Sequence, residues 1–175
     1  VVEFERPSGG EQAIAQAAEL LSNAKNPVIL NGAGVVLSQG GIDASRALAE
    51  RLDAPVCVGY QHNDAFPGSH PLFAGPLGYN GSKAGMELIS EADVVLCLGT
   101  RLNPFSTLPG YGMEYWPADA KIIQVDINPD RIGLTKKVSV GIIADAAKAA
   151  SGILDRLSES AGDDGRAERK AKIAE

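Results

Sequence analysis

Residues 27–36 read PVILNGAGVV, and this stretch decides the fold. Val28, Ile29 and Leu30 follow one another without the polar alternation of a half-exposed strand. Such a run predicts a strand covered on both faces, which is the habit of parallel sheets. Gly32 and Gly34 stand where the strand ends, and glycine there lets the backbone turn sharply or approach another group closely.

Upstream, Ile14, Ala17, Ala18 and Leu21 recur at the spacing of one helical face from Glu11 onward. Asn26-Pro27 stops that helix, because a residue preceding proline avoids helical backbone angles. Downstream the alternation repeats. Ile42 to Leu52 carries Ala44, Ala47, Leu48 and Leu52 on one face and leads into APVCVGY. Ser82 to Glu91 carries Ala84, Leu88 and Ile89 and leads into ADVVLCLG. The long loop RLNPFSTLPGYGMEYWPADA follows, then KIIQVDIN, then VSVGIIAD, and Ala147, Ala150, Leu154 and Leu157 mark a closing helix.

Strands alternating with helices of these lengths predict an α/β fold: a three-layer, doubly wound, mostly parallel sheet of about six strands, Rossmann-like. In such a sheet the strands' C-terminal ends share one edge, and that edge is where ligands bind. Residues 1–9 read as an arriving linker, 10–157 as the Rossmann-like domain and 158–175 as a polar tail. Ile173 is the tail's only large apolar residue, which predicts a mobile linker or an exposed, frayed helix. A chain framed by linkers reads as a piece of something longer.

Composition narrows the function. The 175 residues suit one ordinary domain or two very small ones. With 16 bases against 22 acids, the net charge of −6 argues against a nucleic-acid partner. No apolar run approaches the roughly 18 residues that cross a bilayer, so no membrane partner is expected. Cys57 and Cys97 lie inside apolar runs, with neither CxxC nor zinc-ligand spacing, as expected of buried free thiols in a reducing cytoplasm.

Five positions are candidates for ligand contact. Gly32 and Gly34 could bring backbone to a phosphate, or serve a tight turn alone. A full dinucleotide fingerprint needs a third glycine where Leu37 stands, and an acid at the end of the second strand, where the sequence reads Gly59-Tyr60-Gln61. Arg101 follows a strand directly, where a guanidinium suits capture of a phosphate, carboxylate or sulfonate, or forms a surface ion pair. Asp126, followed by Ile127, closes KIIQVDIN, and an acid there can accept from ribose hydroxyls. Asn128-Pro129-Asp130 reads as an Asx turn. His62 and His70, with Asp64 between them, lack further ligands at metal-binding spacing, so loop packing or pocket lining is the simpler reading. The GDDG run at 162–165 lies in the polar tail without a preceding strand. No nucleophile–base pair is evident, and no residue is assigned a catalytic role.

The ordered segments PVILNGAGV, APVCVGY, a loop with Pro67-Gly68 and His70-Pro71, ADVVLCLGTRLN and AKIIQVDINPDRI together resemble the middle domain of thiamine-diphosphate-dependent enzymes. That group includes acetohydroxyacid synthase, pyruvate oxidase and oxalyl-CoA decarboxylase. Three longer stretches, YQHNDAFPGSHPLFAGPLGYNGSKAGMELI, GTRLNPFSTLPGYGMEYWP and IIQVDINPDRIGLTKKVSVGI, resemble the sulfoacetaldehyde acetyltransferase branch in particular.

The resemblance implies a parent enzyme that turns sulfoacetaldehyde and phosphate into acetyl phosphate and sulfite, with thiamine diphosphate and Mg held by N- and C-terminal domains absent from this chain. It implies partners in those domains, a homo-oligomer in the cytoplasm, and no activity for this piece alone. It further implies FAD or ADP contacts at Gly32, Gly34, Arg101, Asp126 and Ile127. Against a flavin, Leu102-Asn103-Pro104 stands where acetohydroxyacid synthases carry an aromatic-acidic run, so the edge is vestigial or takes another nucleotide. Two rivals stay open: another enzyme of the same cofactor group, and a freestanding nucleotide-binding domain of sirtuin or transhydrogenase type.

Overall fold

The computed structural model describes residues 5–174, so part of the expected arriving linker lies outside the described residues. Six strands form one sheet: β1 (Pro27–Asn31), β2 (Val56–Val58), β3 (Phe73–Pro76), β4 (Val94–Leu98), β5 (Lys121–Asp126) and β6 (Val140–Ile143). Their order is β3-β2-β1-β4-β5-β6 and every pairing is parallel. The doubly wound sheet expected from the sequence is therefore present. The strand order reverses between β1 and β4, whose residues pair from Pro27 with Val94 to Asn31 with Leu98.

The inner strands feed two cores, because successive side chains point to opposite faces. Ile29, Val56, Val58, Leu96, Leu98, Ile123 and Val125 meet α1 (Glu11–Ser22), α3 (Gly41–Leu52) and α5 (Ala146–Leu154) on one side. Val28, Leu30, Cys57, Val95, Cys97 and Ile122 meet the other core, with Met86 and Ile89 of α4 (Lys83–Ser90). On this second face an irregular loop, residues 99–120, supplies Leu102 and Tyr115 in place of a crossover helix. Tyr115 is sealed because its hydroxyl donates to the Ser106 carbonyl at 3.1 Å. Both thiols are buried and unpaired, and burial pushes Cys57 up to about 12 and Cys97 further in the same direction.

Two elements differ from the sequence reading. β3 forms inside the loop that follows β2, as an edge strand paired on one side only. Of the two readings of the polar tail, a mobile linker or an exposed helix, the described residues show a helix, but one that is docked rather than frayed. Its helix α6 (Arg166–Ala174) is held down by Arg169, which is only 4% exposed. That guanidinium donates to the carbonyls of Lys25, Leu52, Asp53, Gly162 and Asp164. One arginine fork replaces the apolar stripe that hydropathy searches for.

Candidate functional site

The cavity that matters sits over the reversal point, at the C-terminal edge of the sheet. It encloses about 730 Å³, and Gly32, Gly34, Arg101, Asp126 and Ile127 all line it. That volume falls in the range of small-molecule sites.

Its floor is made where the turns after β1 and β4 cross. The Gly32 amide donates to the Leu98 carbonyl at 3.0 Å and the Gly34 amide to the Gly99 carbonyl at 2.8 Å. A Cβ on Gly32 would lie 2.6 Å from the Gly99 carbonyl oxygen, and one on Gly34 would lie 2.6 Å from the Gly99 Cα. Gly99 itself has φ +61°, open to glycine at little cost. The Gly-x-Gly pair is therefore required for the tight crossing. Its two amides are committed inside the fold, so what it offers a ligand is a floor without side chains.

Arg101 leaves this crossing at once. The next residue, Leu102, adopts φ +53°, a strained conformation for leucine, and is fully buried. Its amide donates to Thr100 Oγ1 at 3.2 Å. Tucking Leu102 into the second core turns Arg101 outward to the cavity. Among the described residues Arg101 is exposed and forms no ion pair, so a surface salt bridge does not account for it. Arg131 also lines the cavity without an ion pair among the described residues. Asp126 accepts from the Asn128 amide at 2.9 Å, and Asn128 accepts from the Asp130 amide at 3.0 Å, the Asx geometry expected from the sequence.

Two polar constructions escaped the sequence reading. Gln124, 1% exposed in β5, donates to the carbonyls of Thr100 and Arg131 at 3.1 and 3.0 Å. It also accepts from the Gly133 amide at 2.8 Å, tying the loops that carry Arg101 and Arg131 to one side chain. Asp145 caps α5 through the Ala147 and Lys148 amides and accepts from Ser38 Oγ at 2.5 Å and Arg6 at 2.9 Å. Burial would raise its pKa, but the Ser38 and Arg6 hydrogen bonds outweigh burial and hold it below the ordinary aspartate value. Arg6 also donates to the Leu37 carbonyl at 3.1 Å, so the arriving segment closes one wall of the cavity. An aspartate before an alanine-rich run is a recognisable N-cap signal, whereas nothing in the sequence marked Arg6.

The histidines part company. His62 lines the cavity, while His70 sits 3.1 Å from Glu50 and packs edge-on to Phe66. No group of three or more His, Cys, Asp or Glu side chains suited to a metal occurs among the described residues. In the GDDG run the Gly162 and Asp164 carbonyls accept from Arg169, and the Asp163 carboxylate pairs with Arg166 at 3.3 Å. Among the described residues, then, no donor set suits a diphosphate-bound metal.

The profile described as "Thiamine pyrophosphate enzyme, central domain" matches residues 14–153. The chain belongs to that family. This central domain is 75% identical over 174 residues to the sulfoacetaldehyde acetyltransferase of Roseovarius nubinhibens, covering 99% of this chain and 29% of that protein. It is 70% identical over 173 residues to the sulfoacetaldehyde acetyltransferase of Rhodobacter capsulatus, with 99% of this chain and 29% of that protein covered. Benzoylformate decarboxylase from Polynucleobacter necessarius shares the fold, with TM-score 0.73 and 24% identity over 91% of this chain and 30% of that one. The central domain thus spans under a third of the length of the curated relatives it matches.

Proposed function

We propose that this central domain serves a sulfoacetaldehyde acetyltransferase, a longer polypeptide that converts sulfoacetaldehyde and phosphate into acetyl phosphate and sulfite. The observation that carries this reading is the 75% identity extending over 99% of the chain, loops included. Thiamine diphosphate and magnesium belong to parts of the polypeptide outside these residues. The domain's own part is to pack against those parts and against other subunits of a cytoplasmic homo-oligomer. No helix of the described residues is long and apolar enough to cross a membrane.

The cavity is this domain's ligand edge. Two guanidiniums without an ion pair among the described residues, Arg101 and Arg131, suit an anionic group, and Asp126 beside them suits a donor such as a ribose hydroxyl. The bare floor at Gly32 and Gly34 admits close approach, and Ile127, 49% exposed, offers an apolar wall. An adenine nucleotide such as ADP fits this set of groups. A nicotinamide dinucleotide does not, because the end of β2 carries Gly59, Tyr60 and Gln61 and no acid.

The test is an assay of the full polypeptide with thiamine diphosphate, magnesium, phosphate and sulfoacetaldehyde. Release of sulfite with formation of acetyl phosphate is expected, and the 175-residue chain alone is expected to be silent. A full polypeptide that instead condenses pyruvate to acetolactate, with no sulfite released, would overturn the reading.

A further inference from the structure

The chain holds nine aromatic residues: four Tyr, four Phe and one Trp. Four of them, Tyr60, Tyr79, Phe105 and Tyr111, gather on loops that pack together beside the cavity, on the β2–β3 side of the sheet. The Phe105 ring lies 6.0 Å from that of Tyr60, the Tyr79 amide donates to the Phe105 carbonyl at 3.0 Å, and the Tyr111 hydroxyl donates to the Gly81 carbonyl at 3.0 Å. Tyr79, Phe105 and Tyr111 are 63%, 56% and 65% exposed, with Leu108 beside them at 42%.

These loops are not loose. Ser106 Oγ accepts from the Tyr60 amide at 2.9 Å, Asn103 Oδ1 accepts from the Phe105 amide at 3.0 Å, and the buried Tyr115 anchors the Ser106 carbonyl. Gly78 lies so close to Phe105 that any Cβ would overlap its carbonyl. The two segments that carry Tyr79, Phe105 and Tyr111 are also free of formal charge. Residues 71–82 and 102–113, which build most of the surface, contain no Asp, Glu, Lys or Arg, in a chain where 22% of residues are charged. Rigid, exposed aromatic side chains without charges resemble the centre of a permanent protein contact rather than a solvated face.

We propose that this aromatic patch is a docking surface covered by another domain of the same, longer polypeptide. The inference rests on the reading of the chain as the central domain of a larger enzyme. The occupant follows from length and chemistry. The chain makes up 29% of its curated relatives, so more than twice its own length lies outside it. An uncharged patch offers nothing to a phosphate backbone or an anionic membrane, and much to an apolar protein face.

Hydroxyl-radical footprinting read by mass spectrometry tests this on two samples, the 175-residue chain and the full polypeptide. In the short chain Tyr79, Phe105 and Tyr111 should label rapidly, with Tyr115 as the buried internal control. In the full polypeptide the three should label about tenfold more slowly at every concentration, as for side chains sealed from water within an interface. Equal labelling in both samples would overturn the proposal. So would protection that develops in the short chain as its concentration rises, because the occupant would then be a second copy.

The triple variant Tyr79→Ser, Phe105→Ser, Tyr111→Ser adds a second readout. It should lower the Tm of the full polypeptide and leave that of the short chain unchanged; a fall in both would mean that the patch serves the domain's own fold. Labelling needs no turnover. Protection without sulfite release would sink the activity reading alone, and sulfite release without protection would sink the docking surface alone.

Discussion

Gly34 and Gly99 lie backbone against backbone, the Gly34 amide donating to the Gly99 carbonyl at 2.8 Å and leaving no room for a Cβ on either residue. This contact joins the turns after β1 and β4, and every candidate ligand residue is placed relative to it. Gly34→Ala should therefore cost about 2 kcal/mol through forced separation of the two turns. Gly99→Ala should cost more, because alanine at φ +61° adds a left-handed penalty of about 1 kcal/mol. Urea unfolding of both variants checks the order. Equal stability for Gly34→Ala and the parent would show that the crossing yields easily.

Arg101 should behave in the opposite way. It is exposed and free of ion pairs among the described residues, so Arg101→Ala should shift stability by less than about 0.5 kcal/mol. If it anchors a phosphate, the same change should weaken ADP binding by roughly ten- to a hundredfold, the worth of a charged hydrogen bond. Calorimetric titration of parent and variant decides the matter, and equal affinities would remove Arg101 from the ligand's contacts.

Asp145 gives a pH signature. Its carboxyl titrates below the ordinary range, since hydrogen bonds from Ser38 and Arg6 overcome the cost of burial. A depressed carboxyl contributes stability that is fully present above the unfolded value of about 3.9 and is lost as pH falls through the lower folded value. Ser38→Ala should lower the urea midpoint at pH 7, and this deficit should shrink as acid protonates Asp145. An equal deficit at neutral and strongly acid pH would mean that Ser38 acts through packing rather than through the carboxylate.

Arg169 governs the tail. Arg169→Ala should release α6, so that trypsin cuts after Arg166 and Lys170 much faster while the sheet retains its circular dichroism. Arg169→Lys should rescue only in part, because an ammonium cannot reach several carbonyls in the planar fork that a guanidinium uses. A digestion pattern identical to the parent's would show that other contacts of the segment hold it in place.

These residues also mark how far the sequence could be read. Val28 to Leu30, Val94 to Leu98 and Ile122 to Val125 announce their strands because both faces need apolar side chains. Placing Gly32, Arg101 and Asp126 together then needs only the parallel direction of those strands. β3 was invisible for a local reason: Phe73–Pro76 is short, ends in proline and contains a glycine at φ +93°. α6 was legible only as one of two alternatives, a frayed helix beside a mobile linker, since a helix docked by Arg169 and by ion pairs to Asp53 and Glu91 shows no apolar periodicity. Arg6 depends on a carboxylate 139 residues away and Gln124 on carbonyls of two separate loops, and no hydropathy pattern encodes either. Gly32 and Gly34 were visible as a turn or a phosphate contact, but the partner that explains them, Gly99, appears only once β1 and β4 are side by side.

The central place of β1 has a consequence for synthesis. Its residues pair on one side with β2, made soon afterwards, and on the other with Val94 to Leu98, which leave the ribosome some way behind. Until that segment emerges, the nascent sheet carries an open, apolar edge able to recruit foreign strands. Pairing so distant in sequence is also slow to form. The interval between translation of β2 and of β4 is therefore when this protein is most exposed to aggregation, and slowing elongation within it should lower the soluble yield.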